Sequence, residues 1–255
     1  MSSPPLVEHL DHGEAHLVPL VRAHITVDVP FRGTRLSPAA HQGTAMAMST
    51  LLLSATGVHK RYGRKVALAG VDLRVSAGEL VALVGENGSG KTTLLRICAG
   101  LIAPDSGEVR VQGRVGYCPQ EAGLFDLLTA DEHLRLFAAA LGGASVVEEG
   151  RRLLSEFGFP ADDGTVVRAL SGGTRQKLNL VLALLGAPAV LLLDEPYQGF
   201  DRGTYLDFWV HARAWASAGG AVVVVTHLLD NLHLVDRVVE LSAPTVQPSQ
   251  RGPVR

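Results

Sequence analysis

The chain has 255 residues, of which 47% are hydrophobic and 5% aromatic, and its formal net charge is −2. This composition predicts a folded globular core, and it gives no support for a nucleic acid or an anionic membrane surface held by bulk charge. The two cysteines, Cys98 and Cys118, make no disulfide framework, so each is expected to be a small buried residue.

The two ends of the chain differ from its middle. Residues 1–49 contain several prolines and no sustained hydrophobic periodicity, which predicts a mostly disordered extension without a secretion signal. The proline-rich tail 243–255 is predicted to be disordered as well. No apolar run reaches the roughly 18 residues that span a bilayer, so we expect the chain to be soluble by itself. The folded domain is expected to cover residues 50–242.

Between these ends, the sequence alternates between strand and helix patterns. Residues 129–157 carry apolar side chains at helical spacing, and they are predicted to form a helical insertion. The apolar runs at 190–193 and 221–225 are continuous, as is typical of parallel strands buried on both faces. The strands predicted at 51–58 and 66–75 are expected to pair with each other. The predicted strands are 51–58, 66–75, 80–84, 109–111, 115–117, 190–193 and 221–225.

The segment after the strand at 80–84 matches the phosphate-binding P-loop pattern. Glycines are needed there because backbone N–H groups turn inward around a triphosphate, and a Cβ would block that approach. Lys91 would supply a positive charge to the β- and γ-phosphates, and Thr92 a hydroxyl to Mg²⁺. The helix that starts here points its positive end at the phosphates. The predicted binding residues are Gly85, Glu86, Asn87, Gly88, Ser89, Gly90, Lys91, Thr92 and Thr93.

A second motif is the apolar strand at 190–193, which ends in Asp194 and Glu195. A carboxylate at the tip of such a strand holds Mg²⁺ opposite the P-loop hydroxyl, directly or through water, and this is the role predicted for Asp194. Glu195 is then placed to accept a proton from an attacking water molecule. Either carboxylate alone would be unremarkable, but a preceding P-loop in the same chain favours these roles.

A third motif, at residues 170–174, reads Leu-Ser-Gly-Gly-Thr. The hydroxyl of Ser171 and the N–H groups of Gly172 and Gly173 would form a second anion site at a helix N-terminus. In its place between the other two motifs, this segment resembles the signature of the nucleotide-binding subunit of ABC transporters. The resemblance covers about residues 51–241. It implies an α/β fold in which a P-loop NTPase core carries an antiparallel β subdomain and an inserted α-helical subdomain at about 122–170.

The resemblance also implies roles for residues outside these three motifs. Tyr62 matches the aromatic residue that stacks on adenine, and Gln120 matches the loop glutamine that reaches Mg²⁺ and links the two subdomains. His227 matches the histidine that contacts the γ-phosphate. The implied cofactors are ATP and Mg²⁺. The implied catalytic residues are Glu195, His227 and Lys91, and the implied metal-binding residues are Thr92, Gln120 and Asp194.

Three departures from the family pattern are visible. Thr174 stands where the signature usually has Gln, and Tyr197 and Gln198 replace the usual Thr and small residue after Pro196. Contacts across a dimer are therefore expected to differ at the second of these places. The segment 91–120 is shorter than in most relatives, which suggests a trimmed loop near Gly113 and an altered edge of the sheet.

In the family, two such domains pair head to tail, and each ATP lies between the P-loop of one and the signature of the other. The resemblance thus implies two partners: a second ABC ATP-binding subunit, identical or related, and a separate integral membrane permease subunit. The protein would then lie at the cytoplasmic face of the membrane. The apolar residues Leu124, Phe125, Leu127 and Leu128 after Gln120 either contribute to a docking groove for the permease or pack the subdomain core.

The predicted function is ATP hydrolysis that powers export of a drug, an antibiotic or another small molecule. The preference for export over import is weak, because the membrane partner selects the substrate. The alternative is a soluble ABC-type ATPase of iron–sulfur cluster assembly, which has similar length and the same motifs. A chromosome-associated ATPase is rejected because no long coiled coil separates the P-loop from the signature, so no nucleic acid is expected as a partner.

Overall fold

The computed structural model describes residues 25–26, 50–160, 164–227 and 232–243. The predictions of disorder fall almost entirely outside these residues. Within the predicted N-terminal extension, the two-residue strand β1 (Ile25–Thr26) is described. Of the predicted tail, the structure describes Ala243 alone. The predicted boundaries of the folded domain therefore stay predictions.

An antiparallel sheet comes first in the described chain. It contains three strands in the order β3-β2-β5, namely β2 (Leu51–Tyr62), β3 (Lys65–Ser76) and β5 (Ser106–Val111). The predicted pairing of the first two strands is confirmed, although both are longer than predicted. Tyr62 pairs with Lys65 across a tight turn. The extra residues are polar and most of them are exposed, so backbone pairing, rather than an apolar pattern, keeps them in the strands.

The described residues also form a larger sheet, in the order β1-β6-β7-β8-β4-β9. The strands from β6 to β9 run parallel, and β1 pairs antiparallel with β6 at the edge. The prediction of buried parallel strands is confirmed, since every residue of β7 and β8 is buried. The bounds are β4 (Leu80–Val84), β6 (Val115–Cys118), β7 (Val190–Asp194), β8 (Ala221–Val225) and β9 (Arg237–Glu240).

Strand β9 has no counterpart among the predicted strands. It lies at the edge of the sheet and is largely exposed, with a charged residue at each end. Charged ends are usual on edge strands, because they discourage pairing with other chains. The same charges remove the continuous apolar run by which a strand is recognised in a sequence.

The helices of the described part are α1 (Lys91–Cys98), α2 (Ala130–Leu141), α3 (Ala144–Glu156), α4 (Gly172–Leu184) and α5 (Arg202–Ser217). Helices α2 and α3 confirm the predicted helical insertion. Helix α2 begins with a capping box, in which Thr129 and Glu132 each satisfy the other's backbone N–H. Among the described residues, no helix combines the length and the hydropathy of a transmembrane span.

Strand β7 separates two hydrophobic cores. Its Leu191 and Leu193 pack among the helices of the insertion and α5, whereas Val190 and Leu192 pack toward α1 and the antiparallel sheet. This division follows from the alternation of side chains along a strand.

Cys98 and Cys118 are buried and free, which confirms the prediction for both, and burial raises the pKa of the Cys98 thiol to about 12. The predicted α/β fold is thus observed.

Candidate functional site

The P-loop lies between β4 and α1 and is built around the side chain of Lys91. Its ammonium group donates to the backbone carbonyls of Gly85 at 2.8 Å and Glu86 at 2.9 Å, and the residue is only 7% exposed. Gly90 adopts φ 101°, and a Cβ there would lie 2.4 Å from the Ala67 carbonyl oxygen. The turn that presents the first N–H groups of α1 therefore requires glycine.

Asp194 lies at the carboxyl end of β7, beside the P-loop. It is 1% exposed, and its Oδ2 has no hydrogen-bond partner among the described residues. Burial raises the pKa of this carboxyl group above its usual range, while a hydrogen bond from Thr92 acts in the opposite direction. The buried hydroxyl of Ser89 likewise lacks a partner in the described part of the chain. Such unsatisfied buried oxygens fit a site that receives a cation and phosphate groups.

Glu195 follows in a left-handed backbone conformation, with φ 50°. Its Oε1 lies 2.6 Å from Nε2 of His227, which directly follows the residue after β8. Its Oε2 accepts hydrogen bonds from the side-chain amides of Gln120, at 3.3 Å, and Gln198. A non-glycine residue in this conformation carries backbone strain, which is common at functional sites.

These groups surround one cleft of about 420 Å³, within the usual size range of ligand sites. Tyr62 stands at its edge and is half exposed, so one face of the ring is available for stacking. Lys65 and Ala67 were not predicted to line the site, and they enter the cleft because β3 runs back beside Tyr62. The described lining comprises Tyr62, Lys65, Ala67, Asn87, Gly88, Gly90, Lys91, Thr92, Thr93, Gln120, Asp194, Glu195 and His227.

The signature motif lies elsewhere. Ser171 caps α4 by accepting a hydrogen bond from the Thr174 N–H at 3.1 Å, but Ser171, Gly172 and Gly173 are absent from the described lining of the cleft. A Cβ on Gly173 would lie 2.2 Å from the carbonyl oxygen of Gly199, so this glycine allows close packing on the loop after β7. The two predicted anion sites, the P-loop and the signature motif, therefore lie apart from each other within one chain.

Thr174, which replaces the usual Gln of the signature, has a local role here. Its hydroxyl lies 2.8 Å from the hydroxyl of Ser171, in addition to the backbone contact between the two residues. Helix α4 is further tied to the strand that leads to Gln120. The buried amide of Asn179 donates to the Pro119 carbonyl at 2.9 Å, just before Gln120. Neither contact was predicted, although the first is local to the start of α4, and only the second depends on how α4 packs.

The profile of the ABC transporter family matches residues 68–198, about half of the chain. The chain belongs to the ABC transporter family. It is an ATP-binding and ATP-hydrolysing protein of this family, on the predicted P-loop NTPase fold with an antiparallel β subdomain and a helical insertion. The predicted enzyme class and fold are therefore confirmed.

Curated relatives include export and import proteins. The daunorubicin resistance ATP-binding protein DrrA3 of Streptomyces coeruleorubidus is 34% identical over 78% of this chain and 68% of its own. The aliphatic sulfonates import ATP-binding protein SsuB 3 of Paraburkholderia xenovorans is 37% identical over 80% of this chain and 84% of its own. For the probable multidrug ABC transporter ATP-binding protein YbhF of Escherichia coli, these values are 31%, 73% and 35%. The chain thus spans about one third of YbhF.

Solved structures give the same assignment. An ATP-binding cassette in a dimeric post-hydrolysis state with ADP and Pi aligns at a TM-score of 0.69 and 25% identity, covering 76% of this chain and 97% of that one. An ATP-binding subunit of an ABC transporter aligns at 0.68 and 28% identity, over 74% and 85%. The first of these structures contains ADP and Pi, and the second is described as an ATP-binding subunit.

Proposed function

We propose that this chain is the ATP-hydrolysing subunit of a membrane ABC transporter that exports a drug, an antibiotic or another small molecule. The likeness to DrrA3 and YbhF supports export, and the likeness to SsuB 3 is the reason to test import beside it. The observation that carries the proposal is the separation of the cleft from the signature on one chain. A site divided in this way is complete only when two cassettes pair.

In the proposed complex, ATP lies in the cleft of one subunit, against the signature of a second ABC ATP-binding subunit. Tyr62 offers a ring face to the adenine, while the N–H groups at the start of α1 and the ammonium group of Lys91 receive the phosphates. The hydroxyl of Ser171 and the N–H groups of Gly172 and Gly173 face the ATP bound by the partner. The solved dimeric cassette supports this pairing.

Mg²⁺ fits beside the P-loop, where Thr92, Gln120 and Asp194 would hold it. When bound, the ion offsets negative charge on the phosphates. The carboxylate of Glu195 accepts the proton of the attacking water, and the imidazole of His227 contacts the γ-phosphate. Lys91, His227 and the signature of the partner stabilise the charge that develops on the transferred group.

The helical insertion is the part of the chain proposed to contact a separate integral membrane permease, which would place the chain at the cytoplasmic face of the membrane. Two alternatives were open for the apolar residues after Gln120. Leu124 packs against the helical core, in agreement with a packing role, whereas Leu127 is 67% exposed. Leu127 is therefore the residue of this group that supports a docking role.

A pull-down tests the proposal. The tagged Glu195→Gln variant, with ATP present to hold the closed pair, is purified from detergent-solubilised cells. The expected result is recovery of a polytopic membrane protein. Recovery of soluble iron–sulfur scaffold proteins, with nothing from the membrane fraction, would overturn the transporter proposal in favour of cluster assembly. The identity of the recovered permease separates export from import.

A further inference from the structure

The carboxylate of Glu195 contacts three side chains. Its Oε1 faces the imidazole of His227, and its Oε2 accepts from the amides of Gln120 and Gln198. Hydrogen bonds of this kind set the direction of the carboxylate lone pairs. The orientation of the Glu195 carboxylate toward an attacking water molecule therefore depends on which of the three contacts remain when nucleotide is bound.

Two of these partners are also proposed to contact the bound nucleotide and its metal ion. Gln120 and His227 line the cleft, where Gln120 would bind Mg²⁺ and His227 would contact the γ-phosphate. Gln198 is exposed and is absent from the described lining of the cleft. Of the three partners of Glu195 in the described structure, Gln198 is therefore the one with no proposed contact with Mg²⁺ or ATP.

The loop itself sets this contact. The backbone N–H of Gln198 donates to the carbonyl of Glu195 at 3.4 Å, closing a turn that brings the Gln198 side chain back over the carboxylate. The backbone N–H of Glu195 donates to the Val225 carbonyl at 3.2 Å, which fastens the turn to β8. Carboxylate and amide thus belong to one local unit and move together.

Tyr197 anchors the same turn in the helical core. It is 8% exposed, its hydroxyl donates to Thr226 Oγ1, and its ring packs edge-on against Tyr205 with centroids 5.0 Å apart. Tyr197 and Gln198 form one of the places at which this chain departs from the usual family sequence. The buried ring of Tyr197 fixes the position of the turn, and the exposed amide of Gln198 on the same turn then holds the carboxylate of Glu195 in place.

We infer that Gln198 is a positioning residue, whose amide holds Oε2 of Glu195 while Oε1 is left to accept a proton from water. This inference rests on the proposed role of Glu195 as general base. The chemistry suits the task because a neutral amide orients the carboxylate without cancelling its charge. A cation in the same place would pair with Glu195 and reduce its basicity.

The test is a double-mutant cycle on the purified full chain, using Gln198→Ala, Glu195→Gln and both together. Single-turnover hydrolysis of ATP gives the rate constant of the chemical step, and titration with a fluorescent ATP analogue gives the dissociation constant separately. Gln198→Ala should slow the chemical step by about 10-fold to 100-fold, as expected for a misplaced reacting group, and should change the dissociation constant less than about two-fold. It should cause no further loss in the Glu195→Gln background.

The matched control is Gln112→Ala, which removes an exposed amide from the segment after β5 and should leave both constants unchanged. A Gln198→Ala variant as fast as this control, beside an inactive Glu195→Gln, would overturn the inference alone. An equal loss from Gln198→Ala in both backgrounds would also overturn it, because the effect would then not pass through Glu195. Wild-type hydrolysis by Glu195→Gln would instead remove the proposed base and the inference with it.

Discussion

The hydroxyl of Tyr197 donates to Oγ1 of Thr226 and thereby joins the loop after β7 to the end of β8. Tyr197 and Thr226 both lie close to residues of the site, since Glu195 is the first residue of the loop after β7 and His227 directly follows Thr226. The imidazole and the carboxylate then meet at 2.6 Å. A contact outside the cleft therefore supports the geometry inside it.

Tyr197→Phe tests that support. It removes the hydroxyl and keeps the ring packed against Tyr205, so the free energy of unfolding should fall by about 0.5–1.5 kcal/mol. Urea denaturation without nucleotide measures the change. Tyr62→Phe, at a half-exposed ring, is the matched control and should shift the midpoint very little. Equal midpoints for the two variants would show that the buried hydrogen bond adds nothing to stability.

Lys91→Ala should weaken ATP binding itself, because it removes the ammonium group held at the carbonyls of Gly85 and Glu86. Isothermal titration of the full chain with ATP measures the affinity. Arg110→Ala removes a positive charge from an exposed pair with Glu108 and should leave the affinity unchanged. An unchanged affinity in Lys91→Ala would contradict the role of the P-loop.

Glu195→Gln should lower turnover by about 10²-fold to 10⁴-fold, the usual contribution of a positioned general base. ATP binding should survive, because the amide is of the same size and the P-loop is intact. Steady-state phosphate release and nucleotide titration measure the two properties separately. A variant that retains near-normal hydrolysis would refute the assignment of the base.

Asn179→Ala should lower the free energy of unfolding by about 1–3 kcal/mol, because buried acceptors lose their donor. The amide of Asn179 donates to the Pro119 carbonyl and to Oε1 of Gln176 at 3.2 Å, in a site with no exposure. Chemical denaturation gives the change, with Gln112→Ala as the exposed control. A loss no larger than that of the control would mean that this buried network is energetically neutral.

Asp236 predicts a pH dependence of stability. Burial raises the pKa of its carboxyl group, but hydrogen bonds from Arg213, at 2.8 Å, and from the Leu80 N–H, at 2.7 Å, outweigh burial and hold the pKa below its usual value. A lowered folded-state pKa stabilises the fold above the unfolded-state pKa of about 3.9. That stabilisation is lost as the pH falls through the folded-state pKa.

The measurement is the difference in unfolding free energy between wild type and Asp236→Asn at several pH values. The difference should be largest near neutral pH and should shrink as the pH falls below about 4, where the unfolded chain binds a proton at this carboxylate before the folded protein does. A difference that stays constant across this range would show that the charge of Asp236 is not the stabilising factor.

Much of the fold was predictable because it follows from local patterns. Strands β7 and β8 are continuous apolar runs buried on both faces, and both were predicted almost to the residue. The charged edge strand β9 was missed for the opposite reason, since exposure leaves no apolar pattern to recognise. Helix α5 was also not predicted, and periodicity alone was a weak guide there because the apolar residues Leu206 and Val210 are exposed beside the buried Phe208 and Trp209.

The candidate site divides in a similar way. Glycine spacing and a strand ending in two carboxylates are local signals, so the P-loop and Asp194 could be identified without a structure. Gln198 could not be assigned a role, because its contact with Glu195 depends on the turn between them. Lys65 and Ala67 line the cleft only because the two strands of the hairpin run side by side.

The class of the protein follows from short motifs alone, since the P-loop, the signature and the carboxylate pair succeed one another along the chain in the order that the family shares. Tertiary structure alone decided which of these residues meet. Gln120 and Glu195 are 75 residues apart in the chain and touch because β6 and β7 are adjacent parallel strands that end at the same edge. By contrast, the packing of α4 holds Ser171 away from the cleft of its own chain. Local spacing encodes the chemistry of each motif, whereas strand order and helix packing set the distances between motifs.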